Sequence, residues 1–259
     1  MTEIMTNQKG GVFEIVINRP KVKNALNTHT RVELCKAIQN AQSVAKVIII
    51  RGAEGDFCAG QDLADFASHK SFQDIDGIKI LEEEYEPILN AIEASKIPVI
   101  AAVEGACVGA GMSLAIACDL VIAAHSAYFQ LAFAKIGLVP DVGASYHLPR
   151  LIGRARAMGM ALTAEKVSAD SAQDMGLIWK SVAHAEFEKT LSALTSQLAH
   201  GPSQAYDGIR KLIRQSQNAE YGAQMSLEAK LQNQALHSQD FHEGVTAFME
   251  KRPPKYQGK

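Results

Sequence analysis

Two segments of this 259-residue chain are apolar almost without interruption and then break into runs of small residues. Residues 46–51 lead toward Phe57-Cys58-Ala59-Gly60-Gln61-Asp62-Leu63, and residues 98–103 lead into Gly105-Ala106-Cys107-Val108-Gly109-Ala110-Gly111. A strand that is apolar throughout, instead of alternating, is covered on both faces. Such strands exchanged with helices over short connections predict an α/β layered fold. The small-residue runs add a chemical constraint. Glycine and alanine let main chain approach a ligand closely, so two such turns can bring two backbone N–H groups to one point. Convergent amides of this kind hold the negative oxygen of an enolate or a tetrahedral intermediate.

The remaining pattern fills in the layers. Residues 12–17 read as a strand ended by Asn18-Arg19-Pro20. Thr28 or Thr30 is placed to cap a helix in which Leu34, Ile38 and Ala41 share a face. Residues 64–79 are the least regular part, a flap or short helix, and residues 81–95 read as helical despite Pro87. A helix over 111–117 and a strand over 120–123 follow the second turn. Beyond Gly201-Pro202 the chain reads as three helices, 203–217, 220–237 and 240–250, with no strand. The expected organisation is a core over residues 1–200 and a helical region over 201–259 that packs on the core or on a neighbouring subunit.

Composition narrows the function classes. A hydrophobic fraction of 47% with 21% charged residues is that of a globular protein with a sizeable core. The formal net charge of -2 supplies no general basic field for nucleic acid or an anionic membrane. No run is long enough to span a bilayer and the first nine residues are polar, so a cytoplasmic protein is expected. Cys35, Cys58, Cys107 and Cys118 have no metal spacing and read as small buried hydrophobes, with a reactive Cys58 as the alternative. No metal site is expected. A GxSxG elbow is absent, and Gly109-Ala110-Gly111-Met112-Ser113-Leu114 lacks the last glycine of a dinucleotide fingerprint.

Taken with Asn18-Arg19-Pro20, Asn24-Ala25-Leu26, Ala172-Gln173-Asp174-Met175-Gly176-Leu177 and Glu243-Gly244-Val245-Thr246-Ala247-Phe248, the two turns make the chain resemble the crotonase, or enoyl-CoA hydratase/isomerase, superfamily. Within it, Gly153-Arg154-Ala155-Arg156 and Met175-Gly176-Leu177-Ile178-Trp179 are most similar to the ring-1,2-epoxyphenylacetyl-CoA isomerases. Glu104 and Ala144-Ser145 depart from that group's usual Asn and Gly-Thr. The resemblance implies a spiral of ββα units, a C-terminal helical trimerisation region, and a homotrimer or dimer of trimers. It also implies an acyl-CoA substrate, with CoA as part of the substrate and no separate cofactor. Carried over by motif, Gln61 and Ala110 supply the oxyanion amides. Arg19, Lys23, Ala59, Asp62, Leu63, Gly109 and Lys251 become candidates for binding the CoA moiety.

The resemblance also separates reactions. Hydratases of the family use two glutamates, and the matching positions here are Ser113 and Phe133. The candidate base is Asp141, following Pro140 where a helix start is expected. An acidic residue there is equally a dipole partner for the helix; the resemblance favours the catalytic role, because several crotonase isomerases place an aspartate at this position. Apolar neighbours Leu138, Val139 and Val142 are expected to raise its pKa. One carboxylate suffices to move a proton between two carbons of an enolate, so the expected activity is an acyl-CoA isomerase. The alternatives are a weak hydratase, or a non-catalytic acyl-CoA-binding subunit that partners a hydratase. Arg150, Arg154 and Arg156 read as a surface or inter-subunit cluster, and Trp179 as a core or interface residue.

Overall fold

A computed structural model of the chain describes residues 2–67 and 71–259. The strands are β1 (Ile4–Lys9), β2 (Val12–Ile17), β3 (Val47–Gly52), β4 (Val99–Val103), β5 (Ala106–Val108), β6 (Leu120–Ala124), β7 (Tyr128–Gln130), β8 (Val167–Ser168) and β9 (Lys180–Val182). The helices are α1 (Thr28–Val44), α2 (Leu63–Ala67), α3 (Gly77–Lys79), α4 (Glu86–Glu93), α5 (Ala110–Ala117), α6 (Ala144–Thr163), α7 (Ala169–Asp174), α8 (His184–Ala199), α9 (Ser203–Ser216), α10 (Tyr221–Leu236) and α11 (Gln239–Met249). Part of the segment expected to be irregular, residues 68–70, lies outside the described residues.

Six strands form one sheet in the order β1-β2-β3-β4-β6-β9, antiparallel only between β1 and β2. A second sheet pairs β7 in parallel with β5 and in antiparallel with β8. The unbroken apolar strands divide their side chains between two cores. Ile48 and Ile50 of β3, with Val99, Ala101 and Val103 of β4, pack in the larger core with Leu34 and Ile38 of α1, Ile88 and Ile92 of α4 and Met112 of α5. Val47 and Ile49, with Ile100 and Ala102, pack instead in a second core with Phe187 and Leu191 of α8. Removing a side chain such as Ile48 from water stabilises the fold by about 1.5–3 kcal/mol.

Local chemistry sets several boundaries differently from the sequence expectation. Asn27, not Thr28 or Thr30, caps α1: its side chain accepts the Thr30 N–H at 2.7 Å. Residues 106–108 of the expected glycine turn pair with β7 as a short strand. Pro140 and Asp141 precede α6 instead of opening it, because the helix begins at Ala144 after Gly143. The long helical segment around Pro87 is α3, a π-helical turn (Ile80–Tyr85) and α4 in succession. Proline has no N–H to donate and its ring crowds the carbonyl four residues back, which accounts for the wider turn ahead of it. Trp179 is 50% exposed and so is not a core residue.

The expected C-terminal helices are present, and α9 is fastened to the core through one aspartate. Asp119 accepts the Val99 N–H and Arg210 Nε, each at 2.7 Å, and Arg214 Nη2 at 2.9 Å. Arg214 also pairs with Glu93, and Arg210 Nη2 donates to Ile92 O at 2.9 Å. Truncating Asp119 strands a buried guanidinium. Asp119→Ala is expected to destabilise the protein by about 3–5 kcal/mol in urea denaturation, the cost of breaking a buried ion pair from one side.

Candidate active site

β3 and β4 are parallel neighbours, with Ile48 opposite Val99 and Arg51 opposite Ala102. Their carboxyl ends therefore face the same edge of the sheet, and the chains leaving them run side by side. Ligand sites of α/β sheets form at this edge. Backbone hydrogen bonds lock the two runs together. Phe57 N donates to Glu104 O at 2.8 Å, Cys58 N to Ala106 O at 2.9 Å and Val108 N to Cys58 O at 2.9 Å. Asp56 Oδ1 accepts the Ala106 N–H at 2.8 Å.

Two glycines permit this approach. Gly60 has φ +94°, and a Cβ on it would lie 2.9 Å from Val108 O and 3.1 Å from Ala110 N. A Cβ on Gly111 would lie 2.4 Å from Cys58 O. The first turn thus passes directly against the N-terminus of α5, which places the Gln61 and Ala110 peptides beside each other.

Their orientation follows from the planar trans peptide, in which C=O and N–H point in opposite directions. Gly60 O accepts the Leu26 N–H at 2.7 Å, so the Gln61 N–H of the same peptide plane points away from Leu26. Gly109 O accepts the Ser113 N–H at 3.0 Å inside α5, so the Ala110 N–H points out of the helix start. Among the described residues neither N–H has a protein acceptor. The Ala110 donor is also one of the unpaired N–H groups at a helix start, at the positive end of the helix dipole.

Asp141 sits in the turn ahead of α6. Its carbonyl accepts the Ala144 N–H at 3.0 Å and lies 3.1 Å from Ser113 Oγ. Ser113 Oγ lies 3.3 Å from Gly109 O as well, so this serine on α5 joins the Asp141 turn to the second glycine run. The next residue, Val142, has φ 50°, a conformation that a β-branched residue adopts only under constraint. Asp141 Oδ1 is buried and has no hydrogen-bond partner among the described residues. Burial in this setting pushes the carboxyl up to about 6, with its own backbone N–H acting in the opposite direction. Phe133 is buried.

The candidate CoA-binding residues fall into two groups. Arg19, Lys23, Ala59, Asp62 and Leu63 surround the first turn, with Gly109 across from it. Arg19 is committed internally: it pairs with Asp62 at 2.7 Å and Glu3 at 3.1 Å and donates to Ala25 O at 2.5 Å. Lys23 is mostly exposed and pairs with Asp56 at 3.2 Å, while Leu63 is exposed. Lys251 is exposed after α11, and among the described residues no bond ties it to the first turn. A reactive Cys58 is not supported by the structure. Its thiol is fully buried, accepts the Gly60 N–H at 3.3 Å and is pushed up to about 12 by burial. Among the described residues no group of three or more His, Cys, Asp or Glu could hold a metal, and no helix is long and apolar enough to cross a membrane.

Two residues absent from the sequence reading lie beneath the first turn. Arg31, 1% exposed, donates to Gln61 Oε1 at 2.7 Å and Leu26 O at 2.7 Å. Tyr85, at the end of the π-helical turn, donates to the same Gln61 oxygen at 2.8 Å. Its hydroxyl is raised by burial, with the Arg31 charge opposing and the Asp141 charge adding to the shift. A signal for Arg31 existed: a cation in the first turn of α1 opposes the helix dipole and needs a local anion to hold it.

With this geometry in place, comparison with known proteins assigns the family. Residues 7–259 match the pattern of the family described as Enoyl-CoA hydratase/isomerase, and the chain belongs to that family. A Rhodobacter capsulatus protein named "Probable enoyl-CoA hydratase" is 47% identical over 249 residues, 96% of this chain and 95% of the relative. The 1,2-epoxyphenylacetyl-CoA isomerase of Escherichia coli is 36% identical over 261 residues, covering 100% of both chains. A crystal structure of an enoyl-CoA hydratase from Polaromonas sp. JS666 superposes with a TM-score of 0.92 at 30% identity, covering 98% of this chain and 99% of that one. The crotonase fold expected from the sequence is therefore the fold of this chain.

Two outcomes are expected from the site geometry. Gly111→Ala drives a methyl into the Cys58 carbonyl and should cost about 1–3 kcal/mol in chemical denaturation, as overpacking does. Asp141 binds its proton more tightly when folded than when unfolded, so its contribution to stability is full below about pH 4 and lost as pH rises through about 6. Asp141→Asn should match wild type in thermal denaturation at pH 4 and exceed it at pH 8.

Proposed function

We propose that this member of the enoyl-CoA hydratase/isomerase family is an acyl-CoA isomerase, shifting a double bond or rearranging a ring epoxide beside the CoA thioester. The observation that carries this reading is the carboxyl of Asp141, whose Oδ1 is buried and unpartnered among the described residues and whose turn is joined through Ser113 to the one that presents the Ala110 amide. Ser113 and Phe133 occupy the positions where a hydratase of the family would carry glutamates.

The difficulty of the reaction is the weak acidity of carbon beside a thioester. In the proposed mechanism the Gln61 and Ala110 N–H groups donate to the thioester oxygen and stabilise the negative charge that develops on it. The Asp141 carboxylate takes a proton from C2 of a 3-enoyl-CoA, leaving a dienolate, and the resulting carboxylic acid returns that proton to C4. The double bond then lies between C2 and C3 and the carboxylate is regenerated. A base whose pKa lies near 6 is ionised at neutral pH, and its conjugate acid still gives up the proton readily. The chemistry uses no separate cofactor, since CoA arrives with the substrate. Lys23, Ala59, Asp62, Leu63 and Gly109 line the turns that would meet the acyl-CoA, with Arg19 bracing Asp62. Lys251 would reach such a site from the tail, in the same or an adjacent subunit.

Exposed Ile209, Ile213, Tyr221, Met225, Phe241 and Phe248 on α9–α11 favour self-association through the C-terminal helices, as a trimer or a dimer of trimers. The name of the Rhodobacter capsulatus relative favours a second reading, hydration. Hydration requires activating water as well as moving a proton, and one carboxylate would have to do both.

Assays with a 3-enoyl-CoA, an aromatic epoxide-CoA and crotonyl-CoA separate these readings. Isomerisation is expected, with slow crotonyl-CoA hydration. Below about pH 6, kcat/KM should fall about tenfold per pH unit as Asp141 takes up its proton. Asp141→Asn should lose at least a thousandfold in kcat, the scale of removing an oxyanion donor or more. Rapid crotonyl-CoA hydration that survives Asp141→Asn would contradict the isomerase reading.

A further inference from the structure

We propose that Arg31 is a positioning residue for the Gln61 amide, holding that donor in its working orientation through the Gln61 side chain and the Leu26 carbonyl. The inference rests on the reading of Gln61 N–H as a donor to the thioester oxygen, and adds the group that keeps it aimed.

The need for such a group follows from Gly60. Its φ of +94° is what lets the turn meet α5. Glycine also leaves the following peptide, the one carrying the Gln61 N–H, with more freedom than any other residue would. Two backbone bonds restrain it, Leu26 N to Gly60 O at 2.7 Å and Asp62 N to Leu26 O at 3.0 Å. Both run through Leu26. Arg31 Nη1 donates to the same Leu26 carbonyl at 2.7 Å and to Gln61 Oε1 at 2.7 Å, gripping the donor residue from its side chain and from its pairing partner.

The guanidinium is itself held rigidly. Nε donates to Glu84 at 2.8 Å, and Nη2 pairs with Glu84 at 2.6 Å and donates to Thr28 Oγ1 at 3.0 Å. Asp65, on the helix that follows Gln61, lies 3.6 Å away. The Tyr85 ring lies 5.0 Å from the guanidinium carbon, and its hydroxyl supplies the second bond to Gln61 Oε1. One planar fork thus spans α1, α2, the π-helical turn and the first glycine run. Burying a guanidinium is costly, and packing alone is met as well by an apolar residue. A rigid five-donor fork matches the several acceptors arranged here; a lysine ammonium cannot reach them all.

The test uses Arg31→Lys, Arg31→Met and Gln61→Ala in the full-length protein. Three quantities are read: the carbonyl stretch of bound trans-2-hexenoyl-CoA by vibrational difference spectroscopy, kcat and KM for 3-hexenoyl-CoA, and the thermal midpoint. Wild type is expected to shift the bound carbonyl to lower frequency. In each variant part of that shift should disappear, with kcat falling about ten- to hundredfold and KM changing by less than about threefold, as for an interaction realised in the transition state. Should Arg31→Met fail to fold, Arg31→Lys and Gln61→Ala carry the test. An unchanged carbonyl shift and kcat in Gln61→Ala, with Arg31→Lys lowering only the thermal midpoint, overturns the proposal and leaves Arg31 structural. No carbonyl shift in wild type overturns the reading of the Gln61 amide, and the inference with it. A shifted carbonyl without isomerisation rejects only the isomerase reading, and the loss of the shift in the variants then supports the role of Arg31.

Discussion

The site depends on the interlocking of two turns by three backbone hydrogen bonds between residues 57–58 and residues 104–108. Everything upstream serves to make that contact possible. β3 and β4 must be parallel and adjacent so that their outgoing chains leave the same edge, and both must be apolar on each side so that α1 and α8 can cover the sheet. Everything downstream follows from it. With the turns zipped together, the peptides before Gln61 and Ala110 have their carbonyls engaged by Leu26 and Ser113, and their N–H groups are left pointing away from those partners. A cradle of this kind is built from main chain, so its side chains are chosen for what they leave out: a Cβ at Gly60 or Gly111 would collide with the opposite turn.

Asp141 shows the opposite strategy, a side chain held where it is uncomfortable. Its Oδ1 is buried without a hydrogen bond among the described residues, and Val142 beside it is in the left-handed region. Such features cost of order 1–3 kcal/mol each. They persist because Ala144 N and Ser113 Oγ hold the Asp141 carbonyl and the buried Val142 and Ala144 anchor the turn. The core contributes stability; the site consumes some of it to keep a carboxyl poorly solvated.

Much of this was legible in the sequence, for reasons that also explain the exceptions. The two apolar strands were plain because burial on both faces leaves no polar alternation to confuse with a helix. The glycine runs were plain because few other residues fit where two backbones touch. β1 was missed because it is an edge strand whose residues after Ile4 are exposed and mostly polar. β5 was missed because three small residues inside a glycine run look like a turn until β7 pairs with them. Asn27 displaced the threonines as cap because capping is decided by which side chain reaches the Thr30 N–H, and Thr30 Oγ1 is itself donating to Asn27. For Arg31 the one local signal was a cation in the first turn of α1 with no acidic residue in that turn to hold it. Its partners Gln61, Glu84 and Asp65 are 30 or more residues away, and no local pattern encodes which anions arrive from other elements.

Under the proposed reading, serine at 113 and phenylalanine at 133, where a hydratase would carry glutamates, have a physical logic of their own. A carboxylate at position 113, one turn into α5, would place a second negative charge close to the turn that carries Asp141. Like charges so close cannot both ionise easily, so the pKa of Asp141 would be forced above its present value near 6 and less of it would be ionised at neutral pH. Serine avoids that repulsion and uses its hydroxyl to tie the Asp141 turn to the second glycine run. Phenylalanine at 133 is buried and offers no second carboxylate that could activate water. Under the proposed reading, the absence of two further acids leaves Asp141 able to act as a base at neutral pH, and with no second carboxylate to activate water its proton is returned to carbon.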